Sequence, residues 1–442
     1  MPHILLVNPW IHDFAAYDVW AKPYGLLSLG AVLRAHGMRV SYIDCLDRFH
    51  PELPSTDPLS RHGRGPYLKR RLPNPKGLEQ VQRTYSRYGI LPQWLTLALD
   101  ALEPPPDLIL VTCLMTYWYP GAVETIGALK QRFPHVPVVL GGIYARLWTE
   151  HARRTSGANL VADDRGESLL DIVKRFTGHA AAPRFNLKQP ETWPLPAFDL
   201  QRCMGYIPLL TCRGCPFDCA YCASRYLEPT MSRRSSEQVV AEIRHWHDRH
   251  GIMDFVFYDD ALLVDANRHA IPLFEQLGRQ GRRLRFHTPN ALHIRAIDGP
   301  LARLMHHVGF QTLRLGLETS VFEARAALDD KVTEKDFVRA ANHLKRAGFR
   351  ADQIGAYLLV GLPGQRLAEV RHAIGYVKAA GITPVLAHFT PMPHTRLWEQ
   401  ACAASRYDLA ADPIYSNNAI FPCSQDEFSW QTLSALKQLA QS

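Results

Sequence analysis

Five of the chain's nine cysteines lie between Cys203 and Cys222, and three of them, Cys215, Cys219 and Cys222, stand in a C-x3-C-x2-C pattern within the stretch Thr211 to Ser224. An odd count packed this densely is unlike a secreted disulfide framework and points to a local metal site in a reducing compartment. The fold must therefore present these thiols together on one tight loop. Three thiolates can hold three irons of a [4Fe-4S] cube and leave the fourth iron open, whereas a fully ligated electron-transfer cluster requires a fourth protein ligand. Zinc is the rival metal, because thiolates also suit it; a structural zinc site normally adds a second C-x2-C or a histidine pair, and no such pair follows. Cys212, three residues before Cys215, can supply a fourth thiolate or simply pack beside the site.

At 442 residues the chain is long enough for two domains, or for one barrel with an appended lobe. Apolar residues make up 47% and charged residues 21%, a globular balance that excludes long disorder. The net charge of +8 permits an anionic ligand or nucleic acid and requires neither. The start, MPHILLVNPW, lacks the pattern of a secretory signal, and no apolar run approaches the ~18 residues of a membrane span. A cytoplasmic location is expected.

His3–Asn8 reads as an apolar strand, Pro23–His36 as a helix closed by Gly37, and Arg39–Asp44 as a second strand. Strands over Asp107–Cys113 and Val136–Leu140, with a helix from near Gly121 between them, extend this βαβ opening into an open parallel sheet wrapped by helices. Ligands of such sheets lie beyond the carboxyl ends of the strands, here the loops around Asn8, Thr112–Tyr119, Gly141–Tyr144 and Asp163–Glu167. Gly141 and Gly142 either let a ligand approach the backbone or relieve a tight turn. Residues 46–106 form an insertion in which Lys69, Arg83, Tyr85, Arg87 and Tyr88 interleave basic and aromatic side chains; the favoured reading is a solvated face or lid, with no nucleic-acid partner expected. Gly178 and four prolines mark residues 177–205 as a linker, which closes the first domain at residue 176.

Beyond the cysteines, a helix over Ser236–Gly251 leads to a strand over Asp254–Tyr258 that ends in Asp259-Asp260. Carboxylates there can accept hydrogen bonds from an ammonium or a ribose hydroxyl, or cap the next helix. Strands over Leu284–Thr288, Thr312–Leu317, Gly355–Val360 and Pro384–Thr390 follow, and lead into Asn290, Glu318, the Gly361–Gln365 turn and the Pro391–Thr395 turn. His287 and Asn290 are candidate cleft residues; His394 either enters the cleft or faces solvent. Five or six such strands make a partial barrel, open on one side.

The cysteine loop, with Arg213-Gly214 ahead of its first ligand and Tyr221 just before its last, closely resembles the radical S-adenosylmethionine (SAM) superfamily. The first half resembles the cobalamin-binding domain that precedes the barrel in one large subgroup. The resemblance implies an α/β chain with a Rossmann-like, cobalamin-binding-type parallel sheet over residues 1–176. A partial (β/α)6 TIM-like radical SAM core over 206–395 and a short C-terminal extension over 396–442 follow. It implies that Cys215, Cys219 and Cys222 hold a [4Fe-4S] cluster whose open iron binds the amino and carboxylate groups of SAM. Reductive cleavage of the S–C5' bond would then start radical chemistry, with the protein fixing positions and excluding water. On the same ground Tyr221 lies near the adenine, Glu318 reaches SAM with Asp259 and Asp260, and Gly361 and Gly364 let backbone groups approach the nucleoside. The closing turn departs from the family in carrying His394 where glycine is common.

For the first domain the resemblance implies cobalamin contacts at Asn8, Thr112, Gly141, Gly142, Tyr144 and Glu167. The D-x-H-x-x-G signature is absent, since Ile11-His12-Asp13 has the residues in the wrong order, and Arg165 stands where a small residue is common. Either cobalamin is bound without a protein nitrogen on cobalt, or the domain has lost it. The first case implies methylation of an unactivated carbon or phosphinate; the second implies rearrangement, cyclisation or coupling begun by hydrogen abstraction. A third reading, a cluster-bearing RNA-binding or redox-sensing protein, has no use for the ordered strand-end motifs. The expected partners are a small-molecule or peptide substrate and an electron donor such as flavodoxin or ferredoxin.

Overall fold

The computed structural model describes residues 1–163, 166–423 and 428–441. They fall into two compact units, one made of Met1–Gly205 with Asp412–Tyr415, the other of Tyr206–Ala411 with the chain from Ser416 onward.

Eight strands belong to the first unit: β1 (His3–Asn8), β2 (Ile11–Asp13), β3 (Arg39–Asp44), β4 (Lys69–Arg71), β5 (Ser86–Tyr88), β6 (Leu108–Thr112), β7 (Val138–Gly141) and β8 (Leu160–Val161). Five of them form a parallel sheet in the order β3-β1-β6-β7-β8. Ile4 to Val7 are fully buried, as a strand covered on both faces requires. Alternate residues serve opposite layers. Leu5, Val7, Ile109, Val111 and Leu140 pack on the helices Pro92–Asp100 and Tyr119–Arg132, while Ile4, Leu6, Leu108, Leu110 and Val139 pack on Tyr24–Ala35 and Leu169–Thr177. The strand order reverses between β1 and β6, so the crevice expected to hold a ligand opens beyond Asn8 and Thr112.

The expected insertion is partly ordered structure: β2, β5 and β4 make a small antiparallel sheet, and Pro92–Asp100 is a helix of the main layer. Residues 177–205 run along the same unit, with the Arg184 N–H donating to His36 Nε2 at 3.0 Å and the Ala197 N–H to the Leu27 carbonyl at 3.0 Å.

Asn8 Nδ2 donates to Asp44 Oδ1 at 2.8 Å, yet desolvation outweighs this bond and pushes the Asp44 carboxyl up to about 6. A raised carboxyl contributes stability that is fully present below its unfolded value and is lost as pH rises through the folded one. Urea midpoints should therefore fall between pH 4 and 7. Asp44→Asn should flatten that fall by on the order of 1 kcal/mol, discounted for partial exposure.

The second unit contains β9 (Ile207–Leu209), β10 (Cys212–Arg213), β11 (Ser232–Arg233), β12 (Asp254–Phe257), β13 (Arg285–His287), β14 (Phe310–Glu318), β15 (Ile354–Val360) and β16 (Thr383–His388). Six are parallel in the order β16-β15-β14-β13-β12-β9, so each strand pairs with the next along the chain, as a (β/α) winding dictates. The helices Ser236–His250, Ala270–Gly278, Gly299–Val308, Glu334–Arg346 and Leu367–Ala379 make the crossovers. Local signals set their ends: Ser235 and Gln238 form a capping box, and Gly251 closes the first helix at φ 66°. The helix-facing layer is aromatic, with Phe274 against Phe257 and Phe310 at ring distances of 6.1 and 5.1 Å. Among the described residues, no helix is long and apolar enough to cross a membrane.

Candidate functional site

The cysteine loop begins in the β10–β11 hairpin, where Cys212 pairs with Arg233 and Arg213 with Ser232. Gly214 has φ 76°, and a Cβ there would lie 2.6 Å from the Thr230 carbonyl oxygen, so the turn into Cys215 requires glycine. Further along, the Ala220 N–H donates to the Leu328 carbonyl at 2.7 Å, and the Leu397 N–H to the Ala220 carbonyl at 2.9 Å. Arg396 holds the Asp218 carbonyl at 2.6 Å. Phe217 stacks on His293 with ring centres 4.6 Å apart.

Burial pushes the Cys215 thiol up and the Cys219 thiol to about 11, with Lys331 opposing the shift at both. Iron would displace those protons, since thiolates are its ligands. The Ser224 N–H donates to Cys222 Sγ at 3.4 Å, as a contact that supports a ligating sulfur would, while the Cys222 thiol donates to the Ser224 hydroxyl oxygen at 3.2 Å. Three soft donors on one clamped loop fit an iron–sulfur cluster. Cys212 faces elsewhere: it is 2% exposed, lies against Asp259, and its ligand atom groups with those of Asp259 and His269 within 4.8 Å.

Glu318 ends β14 at a shift in the register with β15 and holds φ 65°, a left-handed conformation rare for a side chain this long. It is 5% exposed, and burial raises its carboxyl while Lys331 Nζ, 3.7 Å away, opposes that rise. Gly316 makes room for it, since a Cβ there would stand 3.2 Å from Glu318 Oε1. Lys331 also donates to Tyr221 Oη at 2.9 Å and lies 3.9 Å from Asp329. Asp329 is itself tied to buried Arg325 at 2.8 and 2.9 Å. Tyr221, Glu318, Lys331 and Cys219 thus form one contact cluster. Sequence reasoning named Tyr221 and Glu318 and missed Lys331, Asp329 and His293, which sit in loops with no periodic or motif signal.

Other expected residues are placed differently. Asp260 is exposed and accepts from the Ser224 hydroxyl at 2.8 Å, next to Cys222. Asn290 reaches back to the Tyr258 carbonyl at 2.6 Å. Gly361 and Gly364 have φ 90° and 70°, and Gln365 Oε1 occupies the Gly361 N–H at 2.7 Å. His287 corrects the expectation of a cleft residue: it has no exposed surface, and its nitrogens lie 2.9 Å from Asp254 Oδ1 and 3.0 Å from Thr312 Oγ1. His394 is exposed at φ 65°, which explains why glycine suits the position, and its ring stacks on Tyr226 at 4.0 Å.

In the first unit, Asn8, Thr112 and Gly141 stand at adjacent strand ends around the reversal in strand order. Gly142 has φ 92°, and a Cβ there would come within 2.7 Å of the Cys113 carbonyl oxygen, whereas a Cβ at Gly141 meets nothing within 4 Å. Gly142→Ala should therefore destabilise the unit by about 2 kcal/mol and Gly141→Ala should leave it unchanged, as thermal unfolding would register. Tyr144 corrects the expectation of a ligand contact, being fully buried with its hydroxyl 2.7 Å from His151 Nδ1. Glu167 is exposed and pairs with Arg175 at 2.8 Å; the departure at Arg165 lies outside the described residues. His12 is buried against Glu124, with Nε2 2.6 Å from its carboxylate.

The radical SAM superfamily model matches residues 209–377. An uncharacterized methyltransferase of Pyrococcus horikoshii is 27% identical over 50% of this chain and 49% of its own length. The cytidylyl-2-hydroxyethylphosphonate methyltransferase of Streptomyces wedmorensis is 26% identical over 40% of this chain and 33% of its own. These alignments span half or less of each relative. Among solved structures, the radical SAM methyltransferase TsrM from Kitasatospora setae has a TM-score of 0.67 at 16% identity, covering 99% of this chain and 89% of that one. The cobalamin-dependent enzyme OxsB has a TM-score of 0.58 at 13% identity, covering 94% and 58%. Both share its α/β fold. Residues 209–377, from the cysteine loop through most of the strands that follow it, match the radical SAM superfamily and carry that domain.

Proposed function

We propose that this protein is a cobalamin-dependent radical SAM methyltransferase acting on an unactivated centre of a small molecule or peptide, with flavodoxin or ferredoxin as electron donor. The observation that carries the reading is the Glu318–Lys331–Tyr221 cluster beside Cys219, where a buried carboxylate stands 3.7 Å from an ammonium whose side chain is 12% exposed. When bound, the cluster and cobalamin supply electron transfer to SAM and methyl donation. The chain's own residues bind and orient. Cys215, Cys219 and Cys222 hold the cluster, and Lys331 complements the carboxylate of SAM. Glu318 complements its ammonium or ribose hydroxyls, and Tyr221 offers a ring face to the adenine. Burial of these side chains excludes water and strengthens each of these interactions.

The cobalamin part is supported by the strand reversal at Asn8 and Thr112 and by the open space over Gly141. With His12 committed to Glu124, cobalamin would sit without a protein nitrogen on cobalt. Methylation is favoured over rearrangement because two relatives are described as methyltransferases. Protein purified without oxygen after growth with cobalamin should retain a corrin absorption band. After reconstitution with iron and sulfide, it should convert SAM to 5'-deoxyadenosine on reduction. Loss of the corrin band with retention of cleavage would replace methylation by cobalamin-free radical chemistry, and zinc in place of iron would overturn the whole reading.

A further inference from the structure

Asp259 stands two residues beyond the end of β12, where a SAM contact would be expected, yet its carboxylate turns inward. It is 3% exposed, and Oδ1 accepts from the Thr211 N–H at 2.9 Å, the Thr211 hydroxyl at 2.5 Å and the Cys212 N–H at 2.6 Å. Thr211, fully buried, lies with Oγ1 2.8 Å from Nε2 of buried His269. Because the hydroxyl proton goes to Asp259, the imidazole donates to the hydroxyl oxygen. The Thr211 carbonyl accepts from the Arg234 N–H at 2.9 Å. All three polar atoms of Thr211 are therefore held at the start of the loop that turns through Gly214 into Cys215.

Resting on the cluster reading above, we propose that Asp259 is a positioning residue for the iron–sulfur cluster, acting through Thr211 and Cys212 with His269 as support, and that it does not touch SAM. One oxygen, Oδ1, that accepts three hydrogen bonds in a dry interior fixes the direction of all three donors. The Cys212 side chain also lies against this buried carboxyl, so Asp259 meets the loop through Thr211 and through both the backbone and the thiol of Cys212. Cys212, Asp259 and His269 offer ligand atoms within 4.8 Å of one another, but a metal among them would compete for the atoms that now hold Thr211.

The test uses the full chain reconstituted with iron and sulfide, comparing wild type with Thr211→Val, Asp259→Ala and Asp259→Asn. Phe274→Leu, a core change in the same unit, serves as a control for stability. Removing the hydroxyl in Thr211→Val or the acceptor oxygen in Asp259→Ala should speed iron loss to a chelator about tenfold and shift the EPR g-values of the reduced cluster. Asp259→Asn keeps an acceptor at Oδ1 and should stay within about twofold of wild type. SAM affinity per loaded cluster should not change across the set. The proposal is overturned if the variants hold iron with wild-type spectra, or if Phe274→Leu loses iron equally fast at a matched Tm. It is also overturned if Asp259→Asn weakens SAM binding with iron retention intact, or if a second metal is present that His269→Gln removes. A wild type that takes up no cluster would sink the functional reading; a loaded wild type with unmoved variants would sink only this inference.

Discussion

Cys219→Ala should abolish SAM cleavage: 5'-deoxyadenosine should drop to the level of a blank containing reductant alone, a loss of at least about 10³-fold, roughly 4 kcal/mol or more. The position admits no substitute. Cys219 is 8% exposed, its neighbour Ala220 is anchored on both sides through Leu328 and Leu397, and Lys331 lies within electrostatic reach. No other thiol can swing in, because Cys212 is buried against Asp259. The variant should fold, since removing a thiol leaves the backbone clamps in place, so circular dichroism and Tm should stay near wild type while iron content falls. Wild-type product formation in this variant would mean that the loop does not hold the catalytic metal.

Lys331→Met should lower kcat/KM for SAM cleavage by about 10²-fold, close to 3 kcal/mol, because it strips a buried carboxylate of its counter-charge. Glu318 and Lys331 are 6% and 12% exposed by side chain, so water cannot take over. Without the ammonium, burial drives the Glu318 carboxyl further toward its neutral form, and it loses the charge that would meet an ammonium group. Glu318→Gln should cost a similar amount, and the double variant should cost less than the sum, because each single change already spoils the other's role. Anaerobic turnover of the four proteins gives the coupling. Strict additivity, or a Lys331→Met enzyme of wild-type efficiency, would place the SAM site elsewhere.

Much of this molecule is legible along the chain because its signals are local. Apolar runs such as Ile4–Val7 read as two-sided strands, and nine of the eleven strands in the two parallel sheets fall within a few residues of those expected; the short β8 and β9 were not foreseen. Capping residues Ser235 and Gly251 mark helix ends through hydrogen bonds that span a few positions. The cysteine spacing carries its own chemistry, since three thiols on one loop are already neighbours. Fold class and a candidate metal centre were therefore available from the amino-acid order.

The sequence could not reveal which strand-end side chains face a ligand. Asp259 and Asp260 are adjacent and chemically alike, yet one is sealed against Thr211 and the other is exposed beside Ser224. His287 looked like a cleft residue and proved internal, because its strand partner places Asp254 within 2.9 Å. Lys331 meets Glu318, and Tyr221 110 positions earlier, only because the loop carrying it folds back onto both. Periodicity and spacing act over a handful of residues and determined the architecture; pairing of charges across distant loops depends on the closed fold, and only the tertiary structure decided it.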